Sequence, residues 1–275
     1  MWVFNTAVGK IFEFLFFPFR SLGLWAGMIF ISFLTGLFML FVFRYTSNQE
    51  GIRKVKNKIK AHLLEIRLFK ESFSTSLRAQ GSILRYNLKY ISYSAKPMLI
   101  MIIPLILIII QLNFWFGYQS LSQGEKALLK VKLKDHVSPL QLQMNIESSP
   151  GFEIETPPLR IEEEREIDWR LRAKEKGIHH LVISLDGLKL SKRLAVDQKP
   201  LSRIFPRKVG QNLLDQVLYP GETPLPSNSP LEAIIISYPA KNMNLFGWRI
   251  HWLIVYFALS IIFGFCLKGV LGVEI

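Results

Sequence analysis

The sequence predicts an α-helical integral membrane protein with three transmembrane helices, a cytosolic helical hairpin, and an extracytoplasmic all-β domain inserted between spans 2 and 3. Three stretches are apolar and almost free of charge, as bilayer-crossing helices require. Positive charge is concentrated in the segment between the first two stretches. Short runs of alternating polar and apolar residues, typical of β-strands, fill the region before the third stretch.

Composition and charge favour a few spans with a soluble portion. Half of the 275 residues are hydrophobic, and the mean hydropathy is +0.25. The formal net charge is +13. Residues 44–96 carry twelve Lys or Arg against three Glu, a net charge of +9, whereas residues 119–247 carry only +2. Because basic loops stay in the cytoplasm, the 44–96 segment is predicted to be cytosolic. Cys266 is the only cysteine, so no internal disulfide supports the fold.

Residues 1–20 are predicted to form an amphipathic helix that lies in the membrane interface. They are rich in Phe, carry few charges, and place Val8, Phe12 and Leu15 at helical spacing. A cleaved signal peptide is the alternative. It is disfavoured because no small-residue cleavage site follows the apolar run.

The three predicted spans have mutually consistent orientations. Residues 21–43 contain no charge and form the first, with its N-terminus outside because the basic segment follows it. Residues 96–118 form the second. Residues 247–268 form the third, and residues 269–275 are then a cytosolic tail.

Two prolines lie in the second span. Pro97 falls where a first-turn proline costs little, since its missing N–H would be unpaired anyway. Pro104 lies inside and is expected to bend the helix unless neighbours satisfy the freed carbonyl. Lys96 at one end and Trp115 and Tyr118 at the other match the depths that cations and aromatic rings prefer.

Residues 44–95 are predicted to form a cytosolic basic helical hairpin. Its first arm runs from Gln49 to about Arg78, Gly81 ends it, and the second arm is 82–94. Apolar residues at steps of three and four draw a stripe that needs a partner: Ile52, Val55, Ile59, Leu63, Ile66, Phe69 and Phe73. Basic residues beside the stripe suit anionic lipid headgroups, with ribosomal RNA or an acidic substrate segment as the alternatives: Arg53, Lys54, Lys56, Lys58 and Lys60.

Residues 119–246 are predicted to form a β-sandwich-like domain, immunoglobulin-like in outline. Polar and apolar residues alternate in six short runs that are bounded by Pro and Gly: ALLKVKL, LQLQMNI, REIDWRLRA, HHLVISL, LKLSKRLAV and LEAIIISY. Asp186-Gly187 predicts a tight hairpin, and a short helix is expected around Val209 to Leu218. Trp169 alternates with Ile167 and Leu171 and is predicted to be core.

The residues offer no catalytic motif, so we expect no enzyme activity, no cofactor, no metal site and no DNA partner. Nucleotide-binding and hydrolase motifs are absent from the sequence. His179 and His180 are neighbours on a predicted strand, where they point to opposite faces. An acidic cluster is formed by Glu162–Glu164, Glu166 and Asp168. We interpret it as an edge-strand guard, that is, as solvated charges that prevent an edge strand from pairing with another chain, with a divalent cation site as the alternative.

The order of span, basic hairpin and KPMLIMIIPLILIIIQLNFWF resembles the Oxa/YidC insertase superfamily over residues 21–118 and 248–270. The nearest likeness is to its reduced branch, the archaeal YidC-like proteins and the third subunit of the endoplasmic reticulum membrane complex, with IRKVKNKIKAHLLEIRLF as the matching hairpin. In many members a basic residue lies within the membrane, whereas the spans here hold only uncharged polar residues.

The resemblance implies a membrane-protein insertase or assembly chaperone in the cytoplasmic (inner) membrane of a prokaryote. The hairpin stripe would capture nascent or unassembled membrane proteins, and a mildly polar groove would pass their apolar segments into the bilayer. The groove residues are Ser32, Thr35, Gln111, Asn113 and Ser260. The alternative is a structural or interaction subunit of a cell-envelope complex, which docks partners through its β-domain and hairpin.

Overall fold

The structure is a computed structural model that describes residues 2–147, 149–185 and 187–274. The chain divides into two compact units. The β unit comprises the residues up to Gly27 and Ile109–Trp252, and the helical unit comprises Met28–Ile108 and the residues from Leu253 onward. It is a mixed fold in which both helices and β-sheets are extensive.

Six α-helices lie in the described part of the chain. They are α1 (Trp2–Phe16), α2 (Leu24–Thr46), α3 (Gln49–Leu68), α4 (Phe73–Leu112), α5 (Leu213–Leu218) and α6 (Trp252–Leu267). A short 3-10 helix, Pro18–Arg20, follows α1, and a π-helical turn, Asn113–Gly117, follows α4. Both α2 and α4 are long and apolar enough to cross a bilayer, whereas α6 has 16 residues and is shorter.

The hairpin turns earlier than the sequence predicts. The chain leaves helical geometry at Phe69–Ser72, and the predicted break at Gly81 is wrong because α4 runs through it. Ser72 explains why α4 begins at Phe73, since its Oγ accepts a hydrogen bond from the Thr75 N–H at 3.4 Å and so caps the start of the helix. One interior glycine costs a helix only about 1 kcal/mol relative to alanine, too little to end it.

Helix α4 continues from the hairpin into the apolar stretch without interruption. Pro97 therefore lies in its interior, and the prediction of a first-turn position is wrong. Pro104 lies in the interior as predicted. The physical reason is that the residues before Pro97 already form helix, so the chain does not restart there.

The end of the chain packs onto the hairpin base within the helical unit. Val273 shares a buried apolar cluster with Leu40, Phe43 and Ile52. The Glu274 carboxylate accepts from Lys56 Nζ at 2.9 Å. The Glu274 N–H donates to Gln49 Oε1 at 2.7 Å. The predicted tail is therefore folded up to Glu274, and Ile275 lies outside the described residues.

The β unit contains two main sheets and a hairpin. Its strands are β1 (Lys126–Leu133), β2 (Met144–Ile146), β3 (Phe152–Ile154), β4 (Leu159–Ile161), β5 (Glu166–Ala173), β6 (Gly177–Leu185), β7 (Leu188–Val196), β8 (Arg207–Val209), β9 (Leu231–Ile236), β10 (Asn242–Leu245) and β11 (Trp248–His251). The first sheet has the order β3-β5-β1-β9-β8, with β4 also paired to β5, and the second has the order β2-β6-β7. Side chains from both sheets form one apolar core, which includes Trp169 as predicted.

The six predicted strands are present, but the run LQLQMNI forms only the three residues of β2. The remaining strands were not predicted, because they have three or four residues each, too few for a periodic pattern to emerge. The short helix α5 lies within the predicted range.

The interpretation of the acidic cluster as an edge-strand guard is wrong. Strand β5 lies inside the sheet, between β1 on one side and β3 and β4 on the other. Glu166 and Asp168 are buried on its polar face, where Lys130 Nζ lies 3.1 Å from Glu166 Oε2 and 3.7 Å from Asp168 Oδ2. The two carboxylates therefore take part in cross-strand ion pairing. Glu162–Glu164 lie in the turn between β4 and β5.

Two tight hairpins shape the β unit. Leu185 pairs with Leu188 across the predicted β6–β7 turn, where Gly187 has a φ of 82°, and Asp186 lies outside the described residues. Leu245 pairs with Trp248 across the β10–β11 turn, whose central residues Phe246 and Gly247 also have positive φ. Consequently the predicted start of the third apolar helix at residue 247 is wrong, because Trp248–His251 is a strand and α6 begins at Trp252.

Candidate functional site: an apolar cleft in the helical unit

The helical unit contains a cleft of about 770 Å³ between α2, α4 and α6. Met98, Leu99 and Ile261 line the cleft and are more than half exposed, so an apolar molecule can enter from outside the unit. The lining is almost entirely aliphatic, aromatic or methionine: Met39, Leu40, Phe43, Tyr90, Ile91, Met98, Leu99, Met101, Ile102, Leu105, Tyr256, Phe257 and Ile261, with Thr35, Gly36, Ser94, Ala95, Ser260 and Gly264. Such a surface suits an aliphatic or aromatic ligand.

One wall of the cleft depends on a close approach of α2 and α6. A Cβ atom added to Gly36 would lie 3.0 Å from the backbone oxygen of Ser260. Phe33 and Phe263 meet edge to face nearby, with their ring centroids 5.4 Å apart. Small residues allow two apolar helices to pack this closely without a polar bond between them.

A few hydroxyl groups interrupt the apolar lining. Tyr256 is fully buried, and its hydroxyl lies beside those of Thr35 and Ser260. Among the described residues, the hydroxyls of Tyr256 and Ser260 reach no partner with full hydrogen-bond geometry, and neither does that of Ser94. The oxygens of these three hydroxyls are buried behind the apolar lining, so an occupant of the cleft reaches them only where lining side chains rotate.

Two of the five groove residues expected from the sequence line this cleft, namely Thr35 and Ser260. Ser32 is fully buried in the same unit but does not line it. Gln111 and Asn113 belong to the β unit. Sequence reasoning missed Tyr256, although a phenol in the middle of the run WLIVYFALSIIF was a visible signal.

The stripe residues of the hairpin differ in exposure along its length. Ile52 and Val55 are buried at the base, and Ile59 and Ile66 are half-buried. Leu63, Phe69 and Phe73 near the turn are exposed. Leu64 and Leu68, which the spacing rule did not include, are also exposed.

Most of the basic residues of the first arm are exposed. Arg53, Lys58 and Lys60 are exposed. Lys54 pairs with Glu50 one turn earlier. Lys56 is engaged with Glu274, as described above.

Comparison with known proteins gives no assignment. No family model matches the chain. Neither a curated protein nor a solved structure matches it. Function therefore has to be argued from the geometry itself.

In the β unit, Arg203 connects three segments that are distant in sequence. Its Nη2 donates to Gln111 Oε1 at 2.9 Å, and its Nη1 lies 3.2 Å from Glu13 Oε1 on α1. Its guanidinium also stacks over the ring of Phe205, 4.8 Å from the centroid. Gln111 is thus a structural ligand of Arg203 within this unit.

Helix α1 is held in the β unit by aromatic packing as well. Phe16 is fully buried, and its ring centroid lies 4.7 Å from that of Trp115 and 5.6 Å from that of Phe116. Asn5 Nδ2 donates to the Gln216 carbonyl at 2.8 Å. The other face of α1 exposes Ile11 and Phe14, and Phe17, directly after the helix, is exposed as well. An exposed apolar face of this kind suits the interfacial position predicted for residues 1–20.

The two histidines of β6 have separate structural partners. His179 Nε2 lies 2.7 Å from the Glu175 carbonyl, so this nitrogen must be the donor. His180 Nδ1 lies 3.2 Å from Ser191 Oγ. Within the described residues, no group of three or more His, Cys, Asp or Glu is arranged to hold a metal ion.

Proposed function

We propose that the protein is a membrane-protein insertase or assembly chaperone, which accommodates an apolar segment of a client in the cleft of the helical unit. The open 770 Å³ cleft carries this proposal. A site lined by aliphatic and methionine side chains is adaptable, because methionine is flexible and polarizable and accepts many side-chain shapes. That property suits varied clients better than one fixed ligand.

The hydroxyls of the cleft support the same function. A segment that enters the bilayer carries backbone and side-chain polar groups whose burial in hydrocarbon without partners costs several kcal/mol each. The hydroxyls of Ser94, Tyr256 and Ser260 lie buried at this lining, and rotation of the side chains in front of them would let them satisfy some of these groups. This activity needs neither a nucleotide nor covalent chemistry.

In this proposal α2, α4 and α6 are three spans of the cytoplasmic membrane, and the β unit is an extracytoplasmic, immunoglobulin-like sandwich. Helix α6 is about 24 Å long at 1.5 Å per residue, less than the roughly 30 Å of a hydrocarbon core. A short span is accommodated by local thinning of the bilayer. Thinning shortens the path that a client's polar groups must travel through hydrocarbon. This arrangement of three spans is the one that the resemblance to the Oxa/YidC superfamily implies.

Site-specific photo-crosslinking tests this proposal in cells that synthesise membrane proteins. Probes at Met39 and Met98 face the cleft, and matched probes at Phe38 and Ile103 lie on the same helices but do not line it. We expect crosslinks to many newly made membrane proteins from the cleft positions and mainly lipid adducts from the controls. Equal client yields from both sets would refute a client-binding cleft.

A second function has one specific observation in its favour. Leu77, Leu84 and Leu88 on α4, together with the exposed residues near the hairpin turn, leave an apolar surface that no described part of this chain covers. Large exposed apolar surfaces mark interaction sites. The protein would then be an interaction subunit of an envelope complex. A single constant crosslinked partner at Phe73, with no clients at Met39 or Met98, would favour this function.

A further inference from the structure

The β unit contains a polar cavity of about 460 Å³ beside the first residue of α2. Its walls come from the segment after the π-helical turn, the turn before β6, the segment after β7 and the start of β10. The lining residues are Leu24, Gln119, Ser120, Ser122, Lys176, Asp197, Gln198, Lys199, Pro200, Ser202, Ile204, Lys241 and Asn242. Neither the proposed client cleft nor the sequence analysis accounts for this cavity.

The charges of the cavity favour an anion. Lys176, Lys199 and Lys241 line it, against the single carboxylate of Asp197. That carboxylate is already engaged, because its Oδ2 accepts from the Gln123 N–H at 3.4 Å and lies 3.9 Å from Lys176 Nζ. The net charge of the lining side chains is therefore positive, and serine hydroxyls and side-chain amides supply further hydrogen-bond donors.

The Lys241 side chain is held in a fixed position in the wall of this cavity. It is only 8% exposed, and its Nζ donates to the carbonyls of Trp115 at 3.0 Å and Pro200 at 2.7 Å. An ammonium group has three N–H donors, so one remains for a ligand. Lys176 and Lys199, by contrast, are exposed and lie at the rim.

The surroundings of the cavity indicate where its ligand comes from. Leu24 opens a helix long enough to cross a bilayer, and headgroups lie at the ends of such helices. Strand β10, which begins at the cavity with Asn242, leads into a turn that exposes Phe246 and Trp248. Exposed aromatic rings beside cationic side chains are typical of residues at the membrane interface.

We propose that this cavity binds the phosphate group of an anionic phospholipid headgroup. Lys241 would donate to the phosphate from the cavity wall, Lys176 and Lys199 would neutralise it from the rim, and Leu24 and Ile204 would face the start of the acyl chains. The binding anchors the β unit to one leaflet. It does not depend on the client function of the helical unit.

Binding to the full-length protein in a neutral detergent tests the proposal by titration calorimetry. The ligands are short-chain phosphatidylglycerol, short-chain phosphatidylcholine and inorganic phosphate. We expect saturable binding of phosphatidylglycerol about tenfold tighter than that of phosphatidylcholine. Equal affinities for the two lipids would overturn the proposal. If inorganic phosphate bound as tightly as phosphatidylglycerol, the assignment to a lipid would be overturned.

Variants at the rim identify the site without disturbing the fold. Because Lys176 and Lys199 are exposed, the double substitution Lys176→Gln with Lys199→Gln should leave the thermal transition unchanged and weaken phosphatidylglycerol binding about tenfold. Lys189→Gln is the matched control, since Lys189 lies in the same unit and does not line the cavity. An equal loss in the control, or no loss in the double variant, would contradict this site.

Discussion

Lys192 and Glu222 form an ion pair inside the β unit, where the Lys192 side chain is completely buried and the Glu222 side chain is 6% exposed. The Lys192 ammonium also donates to the Phe205 carbonyl at 2.6 Å, and Glu222 Oε1 accepts from the Arg193 N–H at 2.8 Å. Glu222 thus joins the loop before β9 to strand β7. Burial lowers the pKa of Lys192, and the negative charge of Glu222 opposes that shift.

We expect Glu222→Gln to lower the free energy of unfolding of the full-length protein by about 3 kcal/mol, because it leaves the Lys192 charge buried and unpaired. Glu232→Gln is the control. The Glu232 side chain is 39% exposed, and its Oε1 lies 3.5 Å from Arg207 Nη2 and 3.8 Å from Lys132 Nζ, so its substitution should cost less than about 1 kcal/mol. Denaturant unfolding in detergent, followed by tryptophan fluorescence, measures both. Similar losses would show that burial does not strengthen the pair.

A double-mutant cycle separates the two polar partners of Arg203. We expect a coupling of about 1–3 kcal/mol with Gln111, which is 3% exposed and would be left with an unpaired amide. The coupling with Glu13 should stay below about 1 kcal/mol, because the Glu13 side chain is 46% exposed. The variants are Arg203→Met, Gln111→Leu and Glu13→Gln, measured by unfolding. A larger coupling with Glu13 would contradict this ranking.

The contact between α2 and α6 predicts an asymmetric effect of two glycine substitutions. Gly36→Leu should destabilise the protein by about 1–3 kcal/mol, because its side chain would enter the space occupied by the backbone of Ser260. Gly264→Leu is the matched control, since a Cβ atom there meets nothing within 4 Å. Its effect should remain within about 0.5 kcal/mol. Thermal unfolding in detergent compares the two, and equal losses would refute the close approach.

Stability is expected to increase with pH above neutrality. Burial lowers the pKa of Lys241 from 10.5 to about 8, so between these values the unfolded chain binds more protons than the folded one. The free energy of unfolding should therefore rise through this window, by up to about 3 kcal/mol. Burial lowers the pKa values of Lys192 and Lys208 as well, which adds to the rise.

Tyr238 is expected to end the increase of the free energy of unfolding near pH 10. Burial raises its pKa above the ordinary value of 10, so above pH 10 the folded state keeps a proton that the unfolded state has lost, and stability falls again. Unfolding measured from pH 7 to 11 should show a maximum near pH 10. Lys241→Met should flatten the rise, whereas Lys199→Met should preserve it. An unchanged rise in Lys241→Met would assign the effect to other groups.

The sequence by itself determined the local elements with strong patterns. The uncharged runs predicted α2 and the apolar part of α4, because composition alone decides whether a segment can be stable in hydrocarbon. Alternation predicted β1, β5, β6, β7 and β9, since one face of each contributes side chains to the apolar core. The core position of Trp169 followed from the same alternation.

Only the tertiary structure decided which of these elements meet. Periodicity cannot distinguish an edge strand from an interior one, so only the pairing of β5 places Glu166 and Asp168 inside the sheet. It likewise cannot place Thr35 beside Tyr256, Gln111 beside Arg203, or three lysines from separate loops around one cavity. The physical reason is that a sequence pattern records whether a side chain faces core or solvent, whereas a site depends on long-range contacts between segments far apart in the chain.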